Sequence, residues 1–232
     1  MGEYSPKRRT TSTISLFDPD YAILLELVST LEGLAADMPA KVLDFGAGNV
    51  PYRSLFEGAR YIAADVEQNY AGDIDLIIGE LPLALDDDSI DLILCIYVLE
   101  HIKDYAKILT EFRRILRPGG RLFVATPFIH REHEAPNDFH RPTSFSLAQD
   151  LEHIGPTVVR KVGSGWFTLY SLANEMHIKE GERFSQSNIS RWIRGSFNHL
   201  LLPLCNRFVF SKQAQNQDSI YHTVFASSKK ET

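Results

Sequence analysis

The run Val42-Leu43-Asp44-Phe45-Gly46-Ala47-Gly48-Asn49 decides the fold. With Lys41 it forms a short, mostly apolar strand that ends in two glycines one residue apart. Glycine takes positive φ without steric cost and lets a ligand come close to the backbone. A helix is expected to open near Pro51, since proline is accepted in a first helical turn. Strand, glycine turn and helix together open a nucleotide-binding unit.

Two details narrow the ligand. A nicotinamide fingerprint needs a third glycine for close packing of helix on strand, and that position is Pro51. Asp44 stands just before the turn, where a pyrophosphate would be repelled but a positively charged ligand favoured. The next apolar run, Tyr61-Ile62-Ala63-Ala64-Asp65, also ends in an acid. An acid after the second strand can accept hydrogen bonds from ribose hydroxyls. The two acids together favour a nucleoside without phosphates.

Outward from this segment, strands and helices alternate. Ile74–Ile78, Ile90–Ile96 and Arg121–Thr126 read as further strands buried on both faces. Ile108, Phe112, Ile115 and Leu116 recur at helical spacing within Tyr105–Leu116, and Pro118-Gly119-Gly120 stops that helix. Thr157–Val162 and Tyr221–Ala226 read as a sixth and a seventh strand. Ahead of the first strand, Tyr21, Leu24, Leu25, Val28, Leu31 and Leu34 predict a helix capped by Asp18 or Asp20. The pattern is that of an α/β domain with a mainly parallel sheet.

The chain has 232 residues, 44% hydrophobic and 23% charged. That suits one domain with an appendage and excludes collagen-like, disulfide-scaffold and wholly disordered chains. Residues 1–150 carry 14 basic and 24 acidic groups, and residues 151–232 carry 10 and 6. The acidic first part argues against nucleic acid as a partner, because phosphate binding needs clustered cations. Two isolated cysteines, Cys95 and Cys205, make no disulfide framework and suit a reduced, cytoplasmic setting. No signal peptide or apolar run of membrane-spanning length is legible.

The motifs taken together resemble class I S-adenosylmethionine-dependent methyltransferases, in particular their small-molecule, type 11-like branch. Val42–Gly48 resembles the first motif of that family and Tyr61–Asp65 the second. Gly79-Glu80-Leu81-Pro82, followed by Asp86–Asp91, resembles the adenine-side loop. Leu94–Ile102, with Val98-Leu99-Glu100-His101, resembles the fourth-strand motif, and Leu116–Leu122 the lead-in to the fifth strand. Asn49 and Glu80 depart from the residues most frequent at those places. The resemblance implies a Rossmann-like, seven-strand, mainly parallel sheet with an antiparallel last strand. It also implies S-adenosylmethionine as cofactor. Gly46, Ala47 and Gly48 would approach its methionine part, with Asp44 nearby. Asp65 would hold the ribose, Val66 would flank the adenine, and Glu80 and Leu81 would bound it. Cys95 and Ile96 would approach through backbone atoms. His101 is expected to help begin the helix after the fourth strand.

The segment Pro127–Thr143 follows the fifth strand and holds His130, His133 and His140 beside acids and arginines. Ligands of open α/β sheets lie beyond the carboxyl ends of the strands, so this loop is expected to face the acceptor. His133 is the candidate general base, because an imidazole titrates near neutral pH. Asp138 would orient it or bind a substrate hydroxyl. Arg141 would bind an oxyanion on the acceptor, or pair with Asp138 and pin the loop. His130, His133, Glu134, Asp138 and His140 are also metal-donor types, but their spacing matches no helical zinc motif and no metal is expected. His133, Pro136, Asp138, Phe139, Arg141 and Thr143, with Pro51-Tyr52-Arg53, resemble a subset of the family associated with glycan or polysaccharide synthesis.

Between the sixth and seventh strands lie about sixty residues, too long for an ordinary loop. Arg183 to Lys212 carries five basic residues and no acidic one. Ile189, Trp192, Ile193, Phe197, Leu200, Leu201, Leu204 and Phe208 recur there at helical spacing. This stretch is expected to be a helical lid over the acceptor site or a peripheral contact with a membrane. The expected organisation is a flexible basic N-terminus over 1–15 and a cofactor-binding α/β domain over 16–165. A helical insertion follows over 166–215, then the last strand and tail over 216–232. The expected activity is methyl transfer to a hydroxyl of a small or glycan-linked acceptor. A cofactor-binding module without turnover and a nicotinamide oxidoreductase are the alternatives.

Overall fold

The computed structural model describes Ile14, residues 20–163, positions 165, 167–169, 171 and 172, and residues 220–231. The basic segment 183–212 and the N-terminal residues 1–13 lie outside the described residues, and so do the expectations placed on them.

Seven strands form one sheet: β1 (Lys41–Phe45), β2 (Arg60–Asp65), β3 (Leu76–Ile77), β4 (Ile90–Ile96), β5 (Leu116–Pro127), β6 (Thr157–Val162) and β7 (Thr223–Lys229). Their order is β3-β2-β1-β4-β5-β7-β6. The pairings among β1 to β5 are parallel, and β7 runs antiparallel to both β5 and β6. The Rossmann-like, mainly parallel sheet with its antiparallel last strand is therefore present. Among the described residues, no helix is long and apolar enough to cross a membrane.

Side chains alternate across a strand, and β4 shows why an all-apolar run suits the sheet centre. Ile93 and Cys95 enter a core with Leu43, Phe45, Leu122 and Val124. That face is covered by Phe112 and Ile115 of α2 (Tyr105–Ile115) and by Leu147 and Leu151 of α3 (Ser144–Leu151). Leu92, Leu94 and Ile96 enter the opposite core with Val42, Phe123 and Phe225, under Leu27 and Leu31 of α1 (Tyr21–Ala36). Each such aliphatic side chain contributes about 1.5–3 kcal/mol when fully buried.

Three local expectations are corrected. The chain after the glycine turn forms only a 3-10 turn, Arg53–Phe56, instead of a helix from Pro51. Gly58 at φ +92° ends it one turn later. Asp20 occupies the N-cap position of α1 without a side-chain cap bond, because its backbone lies outside the extended region a cap requires. Pro118-Gly119-Gly120 does more than stop α2, since these residues are already part of β5. A Cβ on Gly120 would lie 2.8 Å from the Arg117 carbonyl oxygen and 3.0 Å from that of Ile90. The glycine thus allows the register shift between Ile90 and Leu92 where β5 joins β4.

Candidate active site

The carboxyl ends of β1, β2, β4 and β5 lie side by side in the sheet, and their loops assemble the site. At the end of β1, Gly46 and Gly48 take φ of +73° and +55°. The amides of Gly46 and Ala47 both donate to the Ala64 carbonyl, at 2.8 and 3.0 Å. A Cβ on Gly46 would stand 2.4 Å from Cγ2 of Val98, so the β1 turn and the β4 loop touch only because the residue is glycine. Ala47 turns its methyl into a small core with Ala63 and Ile74, which leaves its backbone as the part able to face a ligand.

Two acids frame this turn. Asp65 accepts from the Gly48 amide at 2.7 Å through Oδ2 and from the Val66 amide at 2.7 Å through Oδ1. Asp44 is only 1% exposed, and its Oδ2 accepts from the Tyr61 hydroxyl at 2.7 Å. Burial, with the Asp44 carboxylate beside it, raises the Tyr61 pKa far above its ordinary value. The phenol therefore stays protonated and remains a donor. Tyr61 was not among the sequence-predicted site residues.

At the β3 side the apolar side chains of Val66 and Leu81 are 69% and 37% exposed, beside exposed Glu80. The loop carrying Leu81 is anchored from below: Glu111 of α2 accepts from the Leu83 amide at 2.7 Å. Bonds from Arg114 lower the Glu111 pKa and keep it an acceptor. Cys95 and Ile96 point into opposite cores, so only their backbone can serve a ligand. Tyr97 follows at φ +55°, a strained position for a residue with a Cβ. Its hydroxyl lies 3.3 Å from Thr223 Oγ1, which lies 3.0 Å from His222 Nδ1. This polar chain from β4 to β7 joins residues 126 positions apart, which no sequence spacing announces.

The loop after β5 is docked on the β4 loop. The amide of Phe139 donates to the Glu100 carbonyl at 2.8 Å, and His101 Nδ1 donates to the Asn137 carbonyl at 2.7 Å. Asp138 is nearly buried; its Oδ2 accepts from the His133 amide at 2.9 Å and lies 3.3 Å from His133 Nδ1. Arg141 closes on the same carboxylate with both terminal nitrogens, at 2.5 and 2.6 Å. Burial alone would push the Asp138 carboxyl up. The Arg141 bonds and the His133 amide outweigh it and hold the pKa at about 2. Burial, followed by the nearby charge of His130, lowers the His133 pKa, so this imidazole is neutral near pH 7.

The structure thus brings His133, Asp138 and Arg141 together. It engages Arg141 in a loop-pinning pair, with a further bond to the Arg131 carbonyl at 3.0 Å. Two of the five metal-donor types of the loop are engaged elsewhere. His140 Nε2 turns to the Lys103 carbonyl at 3.1 Å, and Asp138 is taken by Arg141. His101 lies at the end of the 3-10 turn Leu99–His101, with its ring 4.7 Å from that of His133.

Residues 43–124 match the model of a methyltransferase domain family. The chain is 35% identical over 130 residues to an uncharacterized protein of Methanocaldococcus jannaschii, covering 51% of this chain and 55% of that one. It is 26% identical over 132 residues to the ubiquinone/menaquinone biosynthesis C-methyltransferase of Idiomarina loihiensis, covering 57% of this chain and 42% of the other. It thus spans about half the length of these curated relatives. Among solved structures, the 1,6-didemethyltoxoflavin N1-methyltransferase of Burkholderia thailandensis superposes with a TM-score of 0.51 at 17% identity. That match covers 95% of this chain and 80% of the other. Residues 43–124 are therefore similar to a methyltransferase domain, and the sheet has the Rossmann-like fold of the methyltransferase structure on which it superposes.

Proposed function

We propose that this chain transfers a methyl group from S-adenosylmethionine to a hydroxyl of a small-molecule or glycan-linked acceptor. The observation that carries this reading is the pair of carboxylates around one glycine turn. Asp44 is buried beneath it, and Asp65 is bonded to the Gly48 amide. A pyrophosphate at this turn would meet like charge, whereas a sulfonium and an ammonium group would meet opposite charge at short range. The exposed apolar faces of Val66 and Leu81 fit a flat base, and no phosphate is needed to fill the remainder.

When bound, the cofactor supplies a methyl group activated by positive sulfur. The chain's own contribution is to hold and to orient. Asp65 has carboxylate lone pairs left for both ribose hydroxyls after its two backbone bonds. The backbone of Gly46, Ala47 and Gly48 would hold the methionine part, with Asp44 supplying charge. Val66 and Leu81 would flank the adenine, Glu80 and the Leu81 amide would offer its polar contacts, and Cys95 and Ile96 would contribute backbone atoms.

His133 takes the acceptor's proton. Its Nδ1 lies 3.3 Å from two acceptors, Asp138 Oδ2 and the Arg131 carbonyl, against one longer contact with a donor, Arg141 Nη2 at 3.4 Å, so that nitrogen carries the hydrogen. The lone pair is then on Nε2. Asp138 fixes this tautomer, and Arg141 fixes Asp138. The glycan-linked acceptor class rests on the Pro51–Arg53 and His133–Thr143 motifs alone.

Incubation of the chain with methyl-labelled S-adenosylmethionine and a panel of hydroxylated acceptors, sugar-linked ones included, tests the reading. Label transferred to an acceptor oxygen, and lost in Asp65→Ala, supports it. Cofactor binding without transfer to any acceptor would reduce the chain to a binding module.

A further inference from the structure

We propose that Glu100, His101 and His133 form a binding site for a first-row divalent cation of the Zn2+ type. Each residue offers one ligand atom, and these atoms lie within 4.8 Å of one another; ligand distances near 2 Å put tetrahedral donors about 3.3 Å apart, so the side chains close by roughly 1 Å as the ion enters. The site joins the β4 loop to the β5 loop, so no single stretch of sequence displays it. Two imidazoles and a carboxylate suit zinc and its neighbours better than magnesium or calcium.

The surroundings of both histidines support the site. A metal-ligating histidine donates its other ring N–H to a carbonyl or carboxylate, which fixes the tautomer and the ring orientation. His101 Nδ1 donates to the Asn137 carbonyl at 2.7 Å, leaving Nε2 with its lone pair. That Nε2 faces Glu100 Oε1 at 3.8 Å and Glu134 Oε2 at 3.6 Å. His133 Nδ1 faces the Asp138 carboxylate and the Arg131 carbonyl, each at 3.3 Å. Both rings are therefore held with one nitrogen turned to a backbone or carboxylate acceptor and the other kept for a ligand. The fully buried Glu100 carboxylate and the half-exposed Glu134 add negative charge on the same side. Arg141, whose Nη2 lies 3.4 Å from His133 Nδ1, is turned into Asp138. Three protein ligands leave a position for water or for an acceptor oxygen.

Cation binding itself does not depend on methyl transfer; its consequence for catalysis does rest on the function proposed above. With the ion bound, His133 Nε2 is a ligand and no longer a base. The cation takes over the task, because a coordinated hydroxyl loses its proton to bulk water at a lower pH than a free one.

The test uses the full chain without an affinity tag, freed of metal by a chelator and titrated with Co2+ under visible absorption, then with Zn2+ in competition. The expected result is one Co2+ per chain with d–d bands of imidazole and carboxylate ligation, displaced by Zn2+. His101→Ala and His133→Ala should each weaken binding at least about 100-fold. His101→Asn keeps a donor for the Asn137 carbonyl but lacks the ligand nitrogen, so it should fold and still lose the ion. His153→Ala, an exposed histidine outside the cluster, should bind as the unsubstituted chain does. Absence of one-to-one binding at millimolar Co2+, or binding unchanged in His101→Asn and His133→Ala, would overturn the site. S-adenosylmethionine calorimetry on the same samples separates the two readings. Failure of the unsubstituted chain to bind Co2+ with cofactor binding intact counts against the metal site alone.

Discussion

The Tyr61 hydroxyl donates a 2.7 Å hydrogen bond to the buried carboxylate of Asp44, linking the start of β2 to the strand that enters the glycine turn. Tyr61→Phe removes one donor from a buried charge and leaves the packing of the ring in place. The expected cost is about 1–3 kcal/mol of folding stability, read by denaturant unfolding. Cofactor affinity should fall with it, because Asp44 is then less firmly held.

Gly46→Ala should abolish cofactor binding and destabilise the fold by about 1–3 kcal/mol. The added Cβ meets Val98 and also sits at φ +73°. The double variant Gly46→Ala/Val98→Ala should recover the part due to contact but not the part due to φ. A double-mutant cycle on thermal melting separates the two.

Asp138 links the loop to pH. Its carboxyl is held at about 2 in the folded chain, below the unfolded value near 4. A depressed acid contributes stability that is fully present above the unfolded pKa and is lost as pH falls through the folded one. The contribution, about 2–3 kcal/mol, should therefore disappear between about pH 4 and pH 2. Asp138→Asn should be less stable at neutral pH, and its stability should flatten across that window.

His133 is a base only when neutral, and burial places its pKa below the ordinary histidine value. Activity should thus hold through neutral pH and fall with acid as the imidazole takes a proton, with a midpoint below that of an ordinary histidine. His133→Asn should lower kcat by roughly 10²–10⁴ while leaving S-adenosylmethionine affinity within a few-fold. An equal loss of cofactor binding would place His133 in the cofactor site instead.

The sheet was legible because its central strands are buried on both faces, which writes β1, β2, β4 and β5 as apolar runs. The antiparallel β7 was legible only through the family resemblance, since periodicity carries no direction. The missing helix after Pro51 was not legible: Gly58 breaks the segment after a single turn, and its positive φ is a tertiary result. Asp44, Asp65 and the glycines were visible because their roles are local to strand ends. Tyr61, Tyr97 and Thr223 were invisible, because their partners sit 17 and 126 residues away. The same holds for Glu100 and His101 beside His133, which two different loops bring together.

The central claim is that the turn between two acids binds a sulfonium nucleoside and not a dinucleotide. Isothermal calorimetry of the full chain with S-adenosylmethionine and with NADH tests it most directly. The account predicts one S-adenosylmethionine per chain, abolished in Asp65→Ala, and no heat of binding from NADH. Tight NADH binding with none for S-adenosylmethionine would contradict it.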